Sequence, residues 1–202
     1  ISSIGRKILI SLITASLVIA AKFKRFLPLH IFAKIFSMHP RVEGWPMLID
    51  EWQGHHEEPF AHYWDNPESL KDKVWTKPFA MTSISCPYFR NREPQIPDYR
   101  KFITEAKKHM DVVVAIIGRD KNILEHQQIR VRDGHTTPTF MENYKVLFKL
   151  CDDIHFVSQE LFFLYGAEYL KVLEKELNFP VAWNHETRIK DHLKKSESNK
   201  KY

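Results

Sequence analysis

"HMDVVVAIIGRDKN", His109 to Asn122, holds the run on which the reading of the fold turns. Val112 to Ile117 is apolar without interruption and stops abruptly at Gly118-Arg119-Asp120. A run this short, closed by a turn, reads as a strand buried on both faces, the kind found in parallel sheets. Loops at the carboxyl ends of such strands are where α/β proteins bind ligands. Asp120 therefore marks either the floor of a ligand site or the end of a purely structural strand.

On both sides of this run the pattern alternates. "FAMTSISC", Phe79 to Cys86, reads as an earlier strand. "IPDYRKFITEAKKHM", Ile96 to Met110, reads as a helix started by Pro97, with Tyr99, Phe102, Ile103 and Ala106 as its apolar stripe. "TPTFMENYKVLFKLC", Thr137 to Cys151, is a second helix, with Thr137 placed to cap it and Pro138 in its first turn. "DIHFVS", Asp153 to Ser158, is the next strand, "GAEYLKVLEKELN" a third helix, and "FPVAWN", Phe179 to Asn184, a further strand. Such alternation requires crossover connections and predicts an α/β fold, a Rossmann-like parallel sheet with flanking helices.

The segment Thr82 to Ser158 resembles the cytidylyltransferase-like nucleotidyltransferases. Ala106-Lys107 with Asp111, Asp120, the Arg130 to Arg132 loop, Thr137-Pro138 with Glu142, and Asp153 follow that family's order of features. The resemblance implies nucleotide chemistry at a phosphate cradle built from a His-x-Gly-His motif between the first strand and its helix. Here the corresponding segment, "SCPYFRNREPQIPDY" from Ser85 to Tyr99, has no His and no Gly. Pro97 removes a backbone donor at the helix start, and Asp98 puts a carboxylate where a phosphate would sit. The family's later Ser/Thr-rich phosphate motif is also replaced, by "QELFFLYGAEYL". The residues left to meet a nucleotide are Arg90, Arg92 and Asp120. No catalytic set is expected, and no cofactor.

The start of the chain points elsewhere. "ILISLITASLVIAA", Ile8 to Ala21, carries no charge and is flanked by Arg6-Lys7 and by Lys22, Lys24 and Arg25. As a helix its fourteen residues reach about 21 Å, short of a hydrocarbon core of about 30 Å unless Lys and Arg snorkel at both ends. It reads as a membrane anchor, a buried core helix being the alternative. The chain begins at Ile1 rather than Met, which suggests that an upstream piece was cleaved or is missing. "FKRFLPLHIFAKIFSMHP", Phe23 to Pro40, mixes Phe with Lys and Arg and reads as an interfacial segment. Residues 41–78 are rich in Trp, His and Pro and read as an extended linker, with one short helix near Pro67 to Asp72. Four of the five Trp lie there, so the linker reads as a surface for wrapping a partner. The division expected is an anchor over 1–40, a linker over 41–78, an α/β domain over 79–184 and a charged tail over 185–202.

Composition narrows the function classes. The 202 residues hold 30 Lys+Arg against 25 Asp+Glu, a net charge of +5 and a pI near 9.1. The basic residues are dispersed, which argues against a nucleic-acid groove. Cys86 and Cys151 form neither a disulfide framework nor a metal motif and read as buried thiols. His55, His56, Glu57, Glu58 and His62 cluster, but Pro59 breaks the helix that an H-E-x-x-H site needs, so no metal is expected. Among the 6 Gly no phosphate loop is spaced as G-x-x-x-x-G-K. His126 and His135 flank the basic loop and read as solvated residues, acid/base groups being the alternative. The function expected is a non-catalytic accessory subunit, a pseudoenzyme, of a complex in the mitochondrial inner membrane, with other subunits and the lipid bilayer as partners. A membrane-associated nucleotidyltransferase is the alternative.

Overall fold

A computed structural model describes residues 5–14, 29–44, 60–90, 93–118, 120 and 137–197. In chain order the elements are β1 (Lys7–Thr14), α1 (Leu29–Ser37), β2 (Val42–Glu43), α2 (Ala61–Asp65), a 3-10 turn (Pro67–Asp72), β3 (Phe79–Cys86), the hairpin β4 (Tyr88–Arg90) and β5 (Glu93–Gln95), α3 (Tyr99–Lys107) and β6 (Asp111–Gly118). There follow α4 (Thr137–Asn143), which runs through a 3-10 turn (Tyr144–Val146) into α5 (Leu147–Leu150), then β7 (Ile154–Ser158), α6 (Gln159–Tyr165), α7 (Ala167–Glu176), a 3-10 turn (Trp183–His185) and α8 (Glu186–Glu197). Five strands form one parallel sheet in the order β2-β3-β1-β6-β7, with helices on both faces. The α/β class holds.

The sheet corrects the reading of the first residues. Lys7–Thr14 is not the start of an anchor helix. It is the central strand, with Ile8 opposite Ala80 on one side and opposite Val112 on the other. Ile8, Ile10 and Leu12 pack into one core cluster and Leu9 into the other, so the strand is apolar on both faces and its sequence shows no alternation. Over such a span a buried strand and an apolar helix give the same unbroken run. Among the described residues no helix is long and apolar enough to cross a membrane.

The interfacial reading of Phe23 to Pro40 fails for a related reason where it is described. In α1 the residues Ile31, Phe32, Ile35 and Phe36 form a stripe of helical spacing, all buried against the sheet. The stripe belongs to a core, shared with α6, α7 and α8. On the opposite face sit α2, the turn Pro67–Asp72, α3, α4 and α5. The 3-10 turn over Pro67–Asp72 matches the short helix expected there. The segment around it is core, with Phe60, Trp64 and Leu70 buried.

The expected boundaries at 40, 78 and 184 therefore do not follow the packing, because one cluster joins Leu9, Phe36, Met81 and Ile189. The charged tail contains α8, whose Ile189 and Leu193 repeat at i and i+4 and are buried. Phe179 to Asn184 is no strand. Phe179, Val181 and Ala182 are buried in an irregular segment, held where Glu174 accepts the Val181 N–H at 2.8 Å and the Trp183 indole N–H at 2.6 Å.

Candidate functional site at the carboxyl edge of the sheet

Parallel strands align their carboxyl ends, and the next described helices after β1 and β6, α1 and α4–α5, pack on opposite faces of the sheet. That reversal is where ligands sit in open α/β sheets. The described groups at this edge are Cys86, Pro87 and Tyr88 after β3, the start of α3, Gly118 and Asp120 after β6, and Ser158, Gln159 and Glu160 after β7. The segment that follows β1, residues 15–28, lies outside the described residues.

Asp98 caps α3. Its carboxylate accepts the Lys101 backbone N–H at 3.0 Å, while its backbone carbonyl accepts the Phe102 N–H at 3.1 Å. Of the donors that could hold a phosphate at a helix start, the Lys101 N–H is here met by the protein's own carboxylate and the Tyr99 N–H by the Pro97 carbonyl at 2.9 Å. Beneath them, Cys86 and Tyr99 are buried side by side. Burial pushes the Cys86 thiol up, and burial also pushes the Tyr99 hydroxyl well up, helped by the neighbouring thiol. Both groups stay protonated at neutral pH and supply no nucleophile.

At the ends of β6 and β7 a carboxylate acts as a strap. Glu160 accepts the Asp120 N–H at 2.9 Å through one oxygen and the Ser158 hydroxyl at 3.1 Å through the other. The Ser158 hydroxyl in turn accepts the Leu161 N–H at 3.3 Å and caps α6, and the Ser158 N–H donates to the Tyr169 hydroxyl at 3.1 Å. Gln159 is buried between these exchanges, and neither atom of its carboxamide has a partner. Ser158 and Glu160 escaped the sequence reading, although Ser followed by an acid in the first turn is a recognisable helix-start signal.

The residues carrying the family resemblance are not gathered into one site. Asp98 and Asp120 lie at the carboxyl edge. Asp111 begins β6 and Asp153 precedes β7, at the amino edge, where Asp153 pairs with His155 at 2.7 Å. An eight-residue strand separates the two edges by about 26 Å. Moreover β3 and β6, which flank α3 in sequence, are not neighbours in the sheet, because β1 lies between them. Arg90 closes β4 in register with Glu93, and Asp120 is exposed. Arg92, the loop Arg130 to Arg132, His126 and His135 lie outside the described residues, as do His55 to Glu58 and two of the linker tryptophans, Trp45 and Trp52. Among the described residues no three His, Cys, Asp or Glu side chains converge as a metal set. Trp64, assigned to partner wrapping, is instead buried. Its ring stacks on Phe102 at 3.7 Å, and its indole N–H donates to the Thr82 hydroxyl at 3.0 Å.

Among the described residues an apolar surface lies at the β7 edge of the sheet. Phe140, Tyr144, Phe148 and Phe156 form a row with successive ring centroids 5.5, 5.6 and 6.2 Å apart. The row runs from the core outward, from Phe140 at 3% exposure to Phe148 at 49% and Phe156 at 67%. No protein family matches the chain, and neither does any curated protein or solved structure.

Proposed function

We propose that this chain is a non-catalytic accessory subunit of a membrane-associated complex, its domain a degenerate nucleotidyltransferase-like scaffold. The observation that carries the reading is the Asp98 carboxylate seated on the N-terminus of its own helix. An incoming phosphate must displace that bond and approach a negative charge, an end effect of about 0.3 to 1 kcal/mol against binding. The ends of β6 and β7 are acidic too, with Asp98, Asp120 and Glu160 along one edge. The exposed Phe148 and Phe156 support contact with another subunit, since exposed contiguous aromatic surface is typical of interaction sites.

Membrane association, with the lipid bilayer as a further partner and the mitochondrial inner membrane as the proposed place, rests on the basic balance of +5 and on residues 15–28. Residues 8–14 no longer contribute to it. Fractionation that recovers the protein wholly in a soluble compartment sinks that half of the reading.

The scaffold half is tested by thermal shift with nucleoside di- and triphosphates, with and without magnesium. A ligand at about 100 times its dissociation constant stabilises by roughly 2.7 kcal/mol, and no shift is expected. A shift that disappears in Asp120→Ala, together with pyrophosphate release, would establish the alternative, a membrane-associated nucleotidyltransferase. That alternative has one observation in its favour, the unpaired buried carboxamide of Gln159 at the ligand-binding edge.

A further inference from the structure

At the amino edge of the sheet the turn from α1 into β2 is built around His39. The Arg41 N–H donates to His39 Nδ1 at 3.2 Å, so that nitrogen is unprotonated in the closed turn. The His39 carbonyl accepts the Val42 N–H at 2.9 Å, and the Arg41 carbonyl accepts the Phe79 N–H at 3.3 Å, joining the turn to β3. Three charged groups face the imidazole: Arg41 from its own turn, Lys77 from the approach to β3, and Glu174 from α7. The two cations are already committed. The Arg41 guanidinium lies 5.2 Å over the Phe79 ring, and the Lys77 ammonium donates to the Val42 carbonyl at 2.9 Å. Glu174 is the one anion, and both its oxygens already serve Val181 and Trp183.

We propose that the His39 turn is an acid-sensitive clasp that holds the short edge strand β2 against β3 and loosens when Nδ1 takes up a proton. Protonation removes the acceptor of the Arg41 N–H and adds a third cation beside Arg41 and Lys77. The strand it frees is only two residues long. Beyond the clasp, β2 is held by the Lys77 bond and by Glu43, paired with Lys73. Loosening the turn uncovers the edge of β3 around Phe79. Burial, then the charge of Arg41, lowers the His39 basicity. The clasp is therefore shut above the unfolded-state value near 6.5 and opens as pH falls through the lower folded-state value.

The test is amide hydrogen exchange of the full chain between pH 7.5 and 5, corrected for intrinsic rates, at the Arg41, Val42 and Phe79 amides. The opening constant should rise by up to tenfold per unit of falling pH within that window. In His39→Gln, which keeps an acceptor and does not titrate, the rise should vanish. In His39→Lys the three amides should exchange fast at every pH. The Val113 to Ile116 amides of β6 report whether each variant is folded. An unchanged pH dependence in His39→Gln, or a flat profile in the native protein, overturns the proposal.

Discussion

Replacing Leu9 and Leu12 of β1 by alanine, singly and together, measures how far the first strand holds the domain. Both side chains are fully buried, Leu9 in the cluster beneath α1 and Leu12 in the cluster beneath α3. A buried Leu→Ala change costs about 2 to 5 kcal/mol, through lost transfer energy and the cavity left behind. The two positions face opposite sides of the sheet and share no cluster, so their effects should add, to about 4 to 10 kcal/mol. A domain of this kind is stable by only about 5 to 15 kcal/mol. The double variant should therefore sit near its unfolding limit in plain buffer. Urea titration followed by circular dichroism and tryptophan fluorescence gives the midpoint and slope, and an unchanged slope assigns the shift to stability. Were the run a lipid-facing helix, neither change would move the transition of the α/β domain. Single-variant losses below about 0.5 kcal/mol would refute the central-strand argument. So would a chain lacking residues 1–21 that unfolds with native midpoint and slope.

Trp64→Ala should cost about 3 to 5 kcal/mol, and Trp64→Phe, which keeps a ring on Phe102 but strips Thr82 of its donor, about 1 to 3 kcal/mol; equal and negligible midpoint shifts would mean the ring is not core. Ser11 and Ser83 lie side by side in register, buried, with hydroxyl oxygens that have no partner. Ser11→Ala and Ser83→Ala should each raise stability by about 1 kcal/mol, and a loss in both would show that the hydroxyls are bonded. Burial pushes the Cys86 and Cys151 thiols up, so at pH 8 both should resist a disulfide reagent in the native protein and react in urea. Rapid native labelling of either would contradict their burial.

The strands β3, β6 and β7 and the helices α3 and α4–α5 were legible because apolar runs, stripes and proline starts were local signals. The strand β1 was not, since an unbroken run cannot say whether lipid or two protein layers surround it. α1 and Trp64 were misassigned as a consequence: with the central strand taken for an anchor, nothing remained for Ile31, Phe36 or Trp64 to pack against. At the candidate site the carboxylate of Asp98 was legible from its place after Pro97. The Glu160 strap was not, because Asp120 and Glu160 are brought together by the pairing of β6 with β7, a relation forty positions long.

Because β1 is central in the sheet and precedes both its partners, β3 and β6, in sequence, synthesis exposes it before them. Lys7 pairs with Asp111, a separation of 104 positions (111 minus 7). At roughly 5 to 20 residues per second the ribosome takes about 5 to 20 s to cover that distance. Until β3 emerges, 72 positions after Lys7 (79 minus 7), the chain displays "ILISLIT" with two open backbone edges, and until β6 emerges with one, and the run holds no charge to discourage self-association. The nascent protein is thus a natural client for factors that bind apolar segments near the exit tunnel, and its yield on expression should depend on them more than that of a sheet whose central strand is made late.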